Sequence, residues 1–184
     1  MHQKNILRKK YLILRKRKYF KVDHSFFLPL VNLIKKNFRK KKKLNLALYY
    51  PANFEVDVIK ILDNNFIFNQ NIFLPVIADD NKMSFFSWKK NQVLLVNKFG
   101  MLEPMKSKPR VPDIMLVPIL SFDTRKYRLG YGKGFYDRFL NKYLNRFKNI
   151  LTVGIAFSFQ KHDNLPVSRH DVKLDYIITE QGIF

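Results

Sequence analysis

Cysteine is absent from all 184 residues. A disulfide scaffold, a thiolate zinc site and thiol nucleophile chemistry are therefore excluded. No apolar run approaches the roughly 20 residues that cross a bilayer as a helix, so no membrane partner is expected. Acidic side chains are scarce, 14 against 35 Lys and Arg, for a formal net charge of +21. There is one tryptophan, and with only six glycines any cluster of them carries information. Apolar residues make up 47% of the chain, which supports a packed core and argues against disorder. The length suits one ordinary domain, so residues 1–184 are expected to form a single unit. The N-terminal stretch is too basic and too interrupted for a signal peptide, and a cytoplasmic location is expected.

The charge is uneven. Residues 1–43 hold 16 basic side chains and one acid, Asp23, while the rest hold 19 and 13. One reading is a polyanion partner such as nucleic acid, with residues 1–43 as a binding arm. The other is drift toward Lys, Asn, Ile and Phe in an A+T-rich genome, combined with a phosphate-bearing ligand. No RNA-binding motif is present, so nucleic-acid binding is expected to be weak and non-specific at most.

Residues 4–20 read as a basic helix with Ile6, Leu7, Tyr11 and Leu14 near one face. Residues 25–38 read as a second helix, with Ser25 as N-cap and Pro29 in the first turn. Lys40–Lys43 reads as a solvated linker. Segment 44–50, ended by Pro51, is a buried-strand candidate, and 56–65 has helical spacing. Strands are expected at 71–77, 84–88, 113–120, 150–157 and 175–180, with an ordered loop over 98–112. Residues 135–147 are amphipathic, and the stripe Phe135, Phe139, Tyr143, Phe147 reads as core packing. No internal repeat is present. Apolar strands alternating with helices predict an α/β fold: a single three-layer domain with a mostly parallel central sheet. The N-terminal basic helices are expected on or beside that core.

The chemistry concentrates in 113–138, DIMLVPILSFDTRKYRLGYGKGFYDR. A buried strand leads through a loop to Gly130, Gly132 and Gly134, then to a helix. Ligands in open α/β sheets bind beyond the carboxyl ends of strands. Glycines let backbone amides approach a phosphate, and a helix start adds partial positive charge. Arg128 and Lys133 add formal charge. Asp137, one turn into the helix, suits Mg²⁺, which takes carboxylate, phosphate and water oxygens. The pattern is neither a Walker A loop, lacking Ser or Thr after Gly-Lys, nor a dinucleotide fingerprint, since Phe135 replaces the third glycine. By itself it indicates an anion-binding, nucleotide-using enzyme.

The block RLGYGKGFYDRFL (128–140), after LVPILSFD (116–123), strongly resembles the signature of the 5-formyltetrahydrofolate cyclo-ligase (5,10-methenyltetrahydrofolate synthetase) family. Lys4-x-x-Leu7-Arg8, LALYYPANFEVD (46–57), NIFLPVI, SFFSW, FGMLEP, GIAFSFQ (154–160) and LPVSRHDVKLDYIITEQGI (165–183) agree in order and spacing. The resemblance implies a three-layer α/β ligase, dependent on ATP and Mg²⁺, that converts 5-formyltetrahydrofolate to 5,10-methenyltetrahydrofolate, ADP and phosphate. The formyl oxygen would be phosphorylated to an imidate phosphate before ring closure. Carried over position by position, Lys4, Arg8 and Arg128 to Tyr136 (Leu129, Gly130, Tyr131, Gly132, Lys133, Gly134 and Phe135 between them) match ATP contacts. Lys133 and Arg128 are the implied catalytic pair, with Lys133 at the transferring phosphate. Asp137 and Asp171 match Mg²⁺ ligands. Tyr50 and Glu55 match substrate contacts, and Tyr131 to Phe135 line the same cleft.

The match has departures. Phe99 stands where many relatives place an aromatic near the folate, and Tyr50 replaces a commoner apolar residue. The bland alternatives are solvated helix charges at Lys4 and Arg8, a helix-dipole carboxylate at Glu55, an exposed His170 and a packing role for Trp88. A monomer is expected, and a basic surface would suit a polyglutamylated substrate. A basic nucleic-acid module and another nucleotide-dependent transferase are the competing readings.

Overall fold

The computed structural model describes residues 2–78, 80, 82–144 and 150–184. Helix α1 (His2–Lys18) is followed by a 3₁₀ turn, His24–Phe27, that runs into α2 (Leu28–Asn37). Pro29 occupies the first turn of α2 as expected. The cap is Asp23 rather than Ser25: its carboxylate accepts the Ser25 amide at 2.8 Å, and Ser25 lies inside the 3₁₀ turn. Strand β1 (Asn45–Ala47) is shorter than the apolar run suggested. Segment 56–65 is not one α-helix but a 3₁₀ turn, Val58–Asp63, followed by the short α3 (Asn65–Phe68). Asp57 and Asn64 each accept the amide two residues on, and these side-chain turns restart the backbone twice.

Strands β2 (Asn71–Ile77) and β3 (Met83–Ser87) form an antiparallel pair. The expected loop at 98–112 contains half of a hairpin, β4 (Leu94–Val96) with β5 (Leu102–Pro104). Its turn is organised by the Asn97 side chain, which accepts the amides of Phe99 at 2.8 Å and Met101 at 3.0 Å. Then follow β6 (Ile114–Pro118), the small ladder β7 (Ser121–Phe122) with β8 (Arg128–Leu129), and α4 (Phe135–Leu144). Phe147, the last member of the aromatic stripe, lies outside the described residues. β9 (Leu151–Ile155), β10 (Tyr176–Thr179) and β11 (Gly182–Ile183) complete the chain.

Seven strands form the main sheet in the order β11-β10-β9-β6-β1-β2-β3. The five inner strands are parallel, and the strand at each edge is antiparallel. The chain leaves β1 toward β2 and returns as β6 on the other side of β1. The order therefore reverses between β1 and β6, and a cleft opens beyond the carboxyl ends of strands at such a point. Side-chain alternation sorts the core into two layers. Leu46, Ile72, Leu74, Ile114, Leu116 and Val153 face Phe27, Leu30 and Ile34 of the N-terminal helices. Ala47, Phe73, Met115 and Val117 face Phe139 and Leu140 of α4. Ile114 through Val117 are fully buried, as both-face coverage requires. The mixed α/β, three-layer expectation is met.

Helix α1 is rotated from the expected phase. Ile6 is 54% exposed and Ile13 55%, whereas Tyr11 and Arg15 are buried. The inward face is Lys4, Arg8, Tyr11 and Arg15, spaced four, three and four residues apart. Tyr11 donates to the Lys161 carbonyl at 3.1 Å. In the exposed 40–43 run, Lys41 donates to Asp113 at 2.6 Å, a specific tether in a segment expected to be only solvated. No helix among the described residues is long and apolar enough to cross a membrane.

Candidate active site

A cleft of about 460 Å³ opens at the β1/β6 switch point. One wall is the glycine loop. β8 delivers the chain to Gly130, Gly132 and Gly134 take φ of +96° and +68°, and α4 begins at Phe135. Those angles lie in the left-handed region open mainly to glycine, which explains two of the three glycines. Arg8 crosses from α1 and donates Nε to the Gly130 carbonyl at 2.9 Å. The Lys133 ammonium lies 5.7 Å from the centre of the Phe99 ring, and Phe99 packs on Phe135 at 5.8 Å. The Tyr136 hydroxyl is buried and has no hydrogen-bond partner among the described residues. An orphaned hydroxyl in a cleft wall points to a ligand group that satisfies it.

The opposite wall follows β1. Asn53 (φ 49°) and Phe54 (φ 61°) make a tight left-handed turn that aims Glu55 inward. Glu55 is buried. Its Oε2 accepts the Ala52 amide at 2.9 Å, and its Oε1 accepts the Tyr131 hydroxyl at 2.7 Å. Burial raises the Glu55 carboxyl above the usual carboxylate range, against the opposing pull of Arg15, Tyr131 and the Ala52 amide. Glu55 is thus not a helix-start carboxylate. Tyr50 lies edge-on to Trp88 at 6.4 Å, and Trp88 is a buried packing residue as expected.

At the start of α4 the carboxylates meet cations. Arg128 donates to Asp137 Oδ1 at 2.6 Å and to the Val172 carbonyl at 3.0 Å. Asp137 Oδ1 also accepts the Val172 amide at 3.2 Å. Lys4 bonds Asp171 through Oδ2, the same oxygen that accepts the Ser168 amide. Burial opposes charge on Asp171, but Lys4 and that amide outweigh it and hold the carboxyl below its usual range. Among the described residues these bonds leave Asp137 Oδ2 and Asp171 Oδ1 open. No group of three or more His, Asp or Glu side chains that could hold a metal occurs among the described residues. Two carboxylate oxygens and a nucleotide's phosphates form a donor set that suits Mg²⁺, which keeps several waters and is seldom caged by protein alone.

Every position that the resemblance tied to a ligand borders this one cleft: Lys4, Arg8, Tyr50, Glu55, Phe99, Arg128 through Asp137, and Asp171. His170 borders a neighbouring cavity instead. Sequence reasoning missed Arg15, fully buried beneath the cleft. The signal was the four–three–four spacing of Lys4, Arg8, Tyr11 and Arg15 on one helix face.

Comparison with known proteins identifies relatives along most of the chain. The chain is 32% identical to the 5-formyltetrahydrofolate cyclo-ligase of Haemophilus influenzae, over 73% of this chain and 75% of that one. It is likewise 32% identical to that of Mycoplasma pneumoniae, over 74% and 73% of the two chains. The NMR structure of Aquifex aeolicus 5,10-methenyltetrahydrofolate synthetase superposes with a TM-score of 0.74 at 31% identity, covering 98% of this chain and 91% of that one. The model of the 5-formyltetrahydrofolate cyclo-ligase family matches residues 2–180, and the chain belongs to that family.

Proposed function

We propose that residues 1–184 form one catalytic unit that closes 5-formyltetrahydrofolate to 5,10-methenyltetrahydrofolate and consumes ATP. The observation that carries this reading is the pairing, across one cleft, of a cation-lined glycine loop with a buried carboxylate. The loop suits the phosphates of a nucleotide. Glu55 suits a ring that offers adjacent N–H donors, as a pterin does. A formamide oxygen is a poor leaving group until it is phosphorylated, so both ligands must meet in one place.

In the proposed sequence the formyl oxygen attacks the γ-phosphorus and ADP leaves. The folate nitrogen at position 10 then attacks the formyl carbon and loses its proton. The carbon–oxygen bond breaks and phosphate departs with that oxygen. Catalysis is chiefly positioning and charge neutralisation. Lys133 bears on the transferring phosphate, and Arg8 and Lys4 hold the nucleotide side. Arg128 acts through Asp137, whose orientation it fixes. Asp137 and Asp171 are the residues that would hold Mg²⁺, which when bound neutralises charge on the phosphates. Tyr50, Phe99 and Phe135 wall the pterin side, and Tyr136 supplies a hydroxyl to the ligand. The protein is read as a cytoplasmic monomer that takes polyglutamylated as well as monoglutamyl substrate.

The test is the absorbance of the methenyl product, with 5-formyltetrahydrofolate, ATP and Mg²⁺ and with each omitted. The expected result is a signal that needs all three. No signal from folded protein that binds ATP would overturn the reading and favour another nucleotide-dependent transferase.

A further inference from the structure

Arg15 has no place in that sequence, yet it is the largest fully buried charged side chain among the described residues. Burying a guanidinium costs several kcal/mol unless its donors are satisfied. Here they are satisfied by three different segments, two of which line the cleft. Nε donates to the Asn53 carbonyl at 2.9 Å, in the left-handed turn that carries Glu55. Nη1 donates to the Ile119 carbonyl at 3.2 Å, just beyond β6. Nη2 donates to the Tyr131 hydroxyl of the glycine loop. That hydroxyl in turn donates a hydrogen bond to Glu55 Oε1 at 2.7 Å, and Arg15 Nη1 lies 4.0 Å from the same oxygen. Tyr11 and Arg15 are the two buried side chains of α1, and Tyr11 alone reaches the Lys161 carbonyl without touching the cleft. A planar fork that meets the Glu55 turn and the glycine loop together is a task only arginine geometry performs.

We infer that Arg15 is a positioning residue for Glu55: with Tyr131 it fixes the carboxylate's aim, keeps it acceptor-only, and ties the substrate wall of the cleft to the nucleotide loop. What Glu55 binds rests on the proposed cyclo-ligase reading; the hold of Arg15 on Glu55 does not.

The groups facing Glu55 are Arg15 from α1, Tyr131 from the glycine loop, Tyr49 from the exit of β1 and Tyr136 from α4. Burial raises all three tyrosines, so each stays neutral at working pH. Arg15 therefore supplies the positive charge that offsets the burial of Glu55. Two successive left-handed non-glycine residues store backbone strain at this turn. The turn is closed by the bonds between Ala52 and Glu55 and is tied to α1 by the bond from Arg15 to the Asn53 carbonyl.

Arg15→Met, Arg15→Lys and Arg15→Gln test this. In Arg15→Met the acidic limb of kcat/KM for 5-formyltetrahydrofolate should move up by about one pH unit, because Glu55 then needs a higher pH to ionise. KM for the folate should rise about tenfold or more, since one directed carboxylate is lost to it. KM for ATP should change less, because the loop keeps its glycine turns and its bond to Arg8. Arg15→Lys should bring the limb back but leave KM raised, because charge is restored and the fork is not. A folded Arg15→Met enzyme with an unmoved limb would make Arg15 a strut only.

A readout that needs no turnover is the ¹³C titration of the three glutamate carboxyls, Glu55, Glu103 and Glu180, with Glu55 assigned by Glu55→Gln. In Arg15→Met the Glu55 resonance should titrate higher than in wild type, and should that variant fail to fold, Arg15→Gln carries the same measurement; equal titration would overturn the inference. Wild-type protein with no cyclisation would end the cyclo-ligase reading, while this titration would still decide the role of Arg15.

Discussion

A β-carbon added at Gly132 would stand 3.0 Å from Cζ of Arg8, at a backbone φ of +96°. Arg8 could yield only by loosening its bond to the Gly130 carbonyl, and the loop would be strained as well. Left-handed strain of this kind costs about 1–3 kcal/mol. Gly132→Ala is therefore expected to raise KM for ATP about tenfold while the melting temperature falls by only a few degrees. Steady-state kinetics beside a thermal melt would check it, and an unchanged KM would mean that Arg8 does not shape the loop. This glycine was legible in the chain because the loop is a local motif: its backbone demands, its charges and its helix start lie within a dozen residues. Glu55 was legible only by resemblance. Its burial depends on Arg15 and Tyr131, which lie far from it in sequence, and no spacing rule joins the three.

Helix α1 shows why an element can be placed correctly and still be turned the wrong way. A polar helix with scattered aliphatics has two plausible inner faces. Hydrophobicity favoured Ile6, Leu7, Tyr11 and Leu14, but tertiary hydrogen bonds chose Lys4, Arg8, Tyr11 and Arg15. The hairpin of β4 and β5 was missed for a related reason. Its apolar run, Val93 to Val96, is shorter than the run through β6 and lies largely exposed, so it does not stand out as a core strand. The phase of α1 yields a prediction. Lys9 is exposed, while Lys4 bonds Asp171 at the cleft. Lys4→Gln should raise KM for ATP several-fold, and Lys9→Gln should leave it unchanged. ATP titrations of the two variants in parallel would check this, and equal effects would show that net charge rather than helix phase governs nucleotide affinity.

At the scale of the molecule, the charge of +21 becomes a long-range property rather than a set of contacts. Unlike charges beyond about 10 Å are screened at 0.1 M salt, so this field acts mainly at low ionic strength. It draws any polyanion toward the chain without reading its sequence, which is why nucleic-acid binding should be weak, non-specific and steeply salt-dependent. The same field bears on a substrate whose tail carries several carboxylates. Each added glutamate adds negative charge to the approaching ligand, and encounter with a surface of one sign speeds accordingly. Triglutamyl 5-formyltetrahydrofolate is therefore expected to show a several-fold higher kcat/KM than the monoglutamyl form at low salt. Direct contacts at the cleft change less with salt than the field does, so the advantage should shrink as ionic strength rises through the physiological range. Kinetics with both substrates across a salt series would measure it. An advantage that persisted unchanged at high salt would assign tail recognition to specific contacts, and equal kcat/KM at low salt would show that the charge has no part in substrate capture.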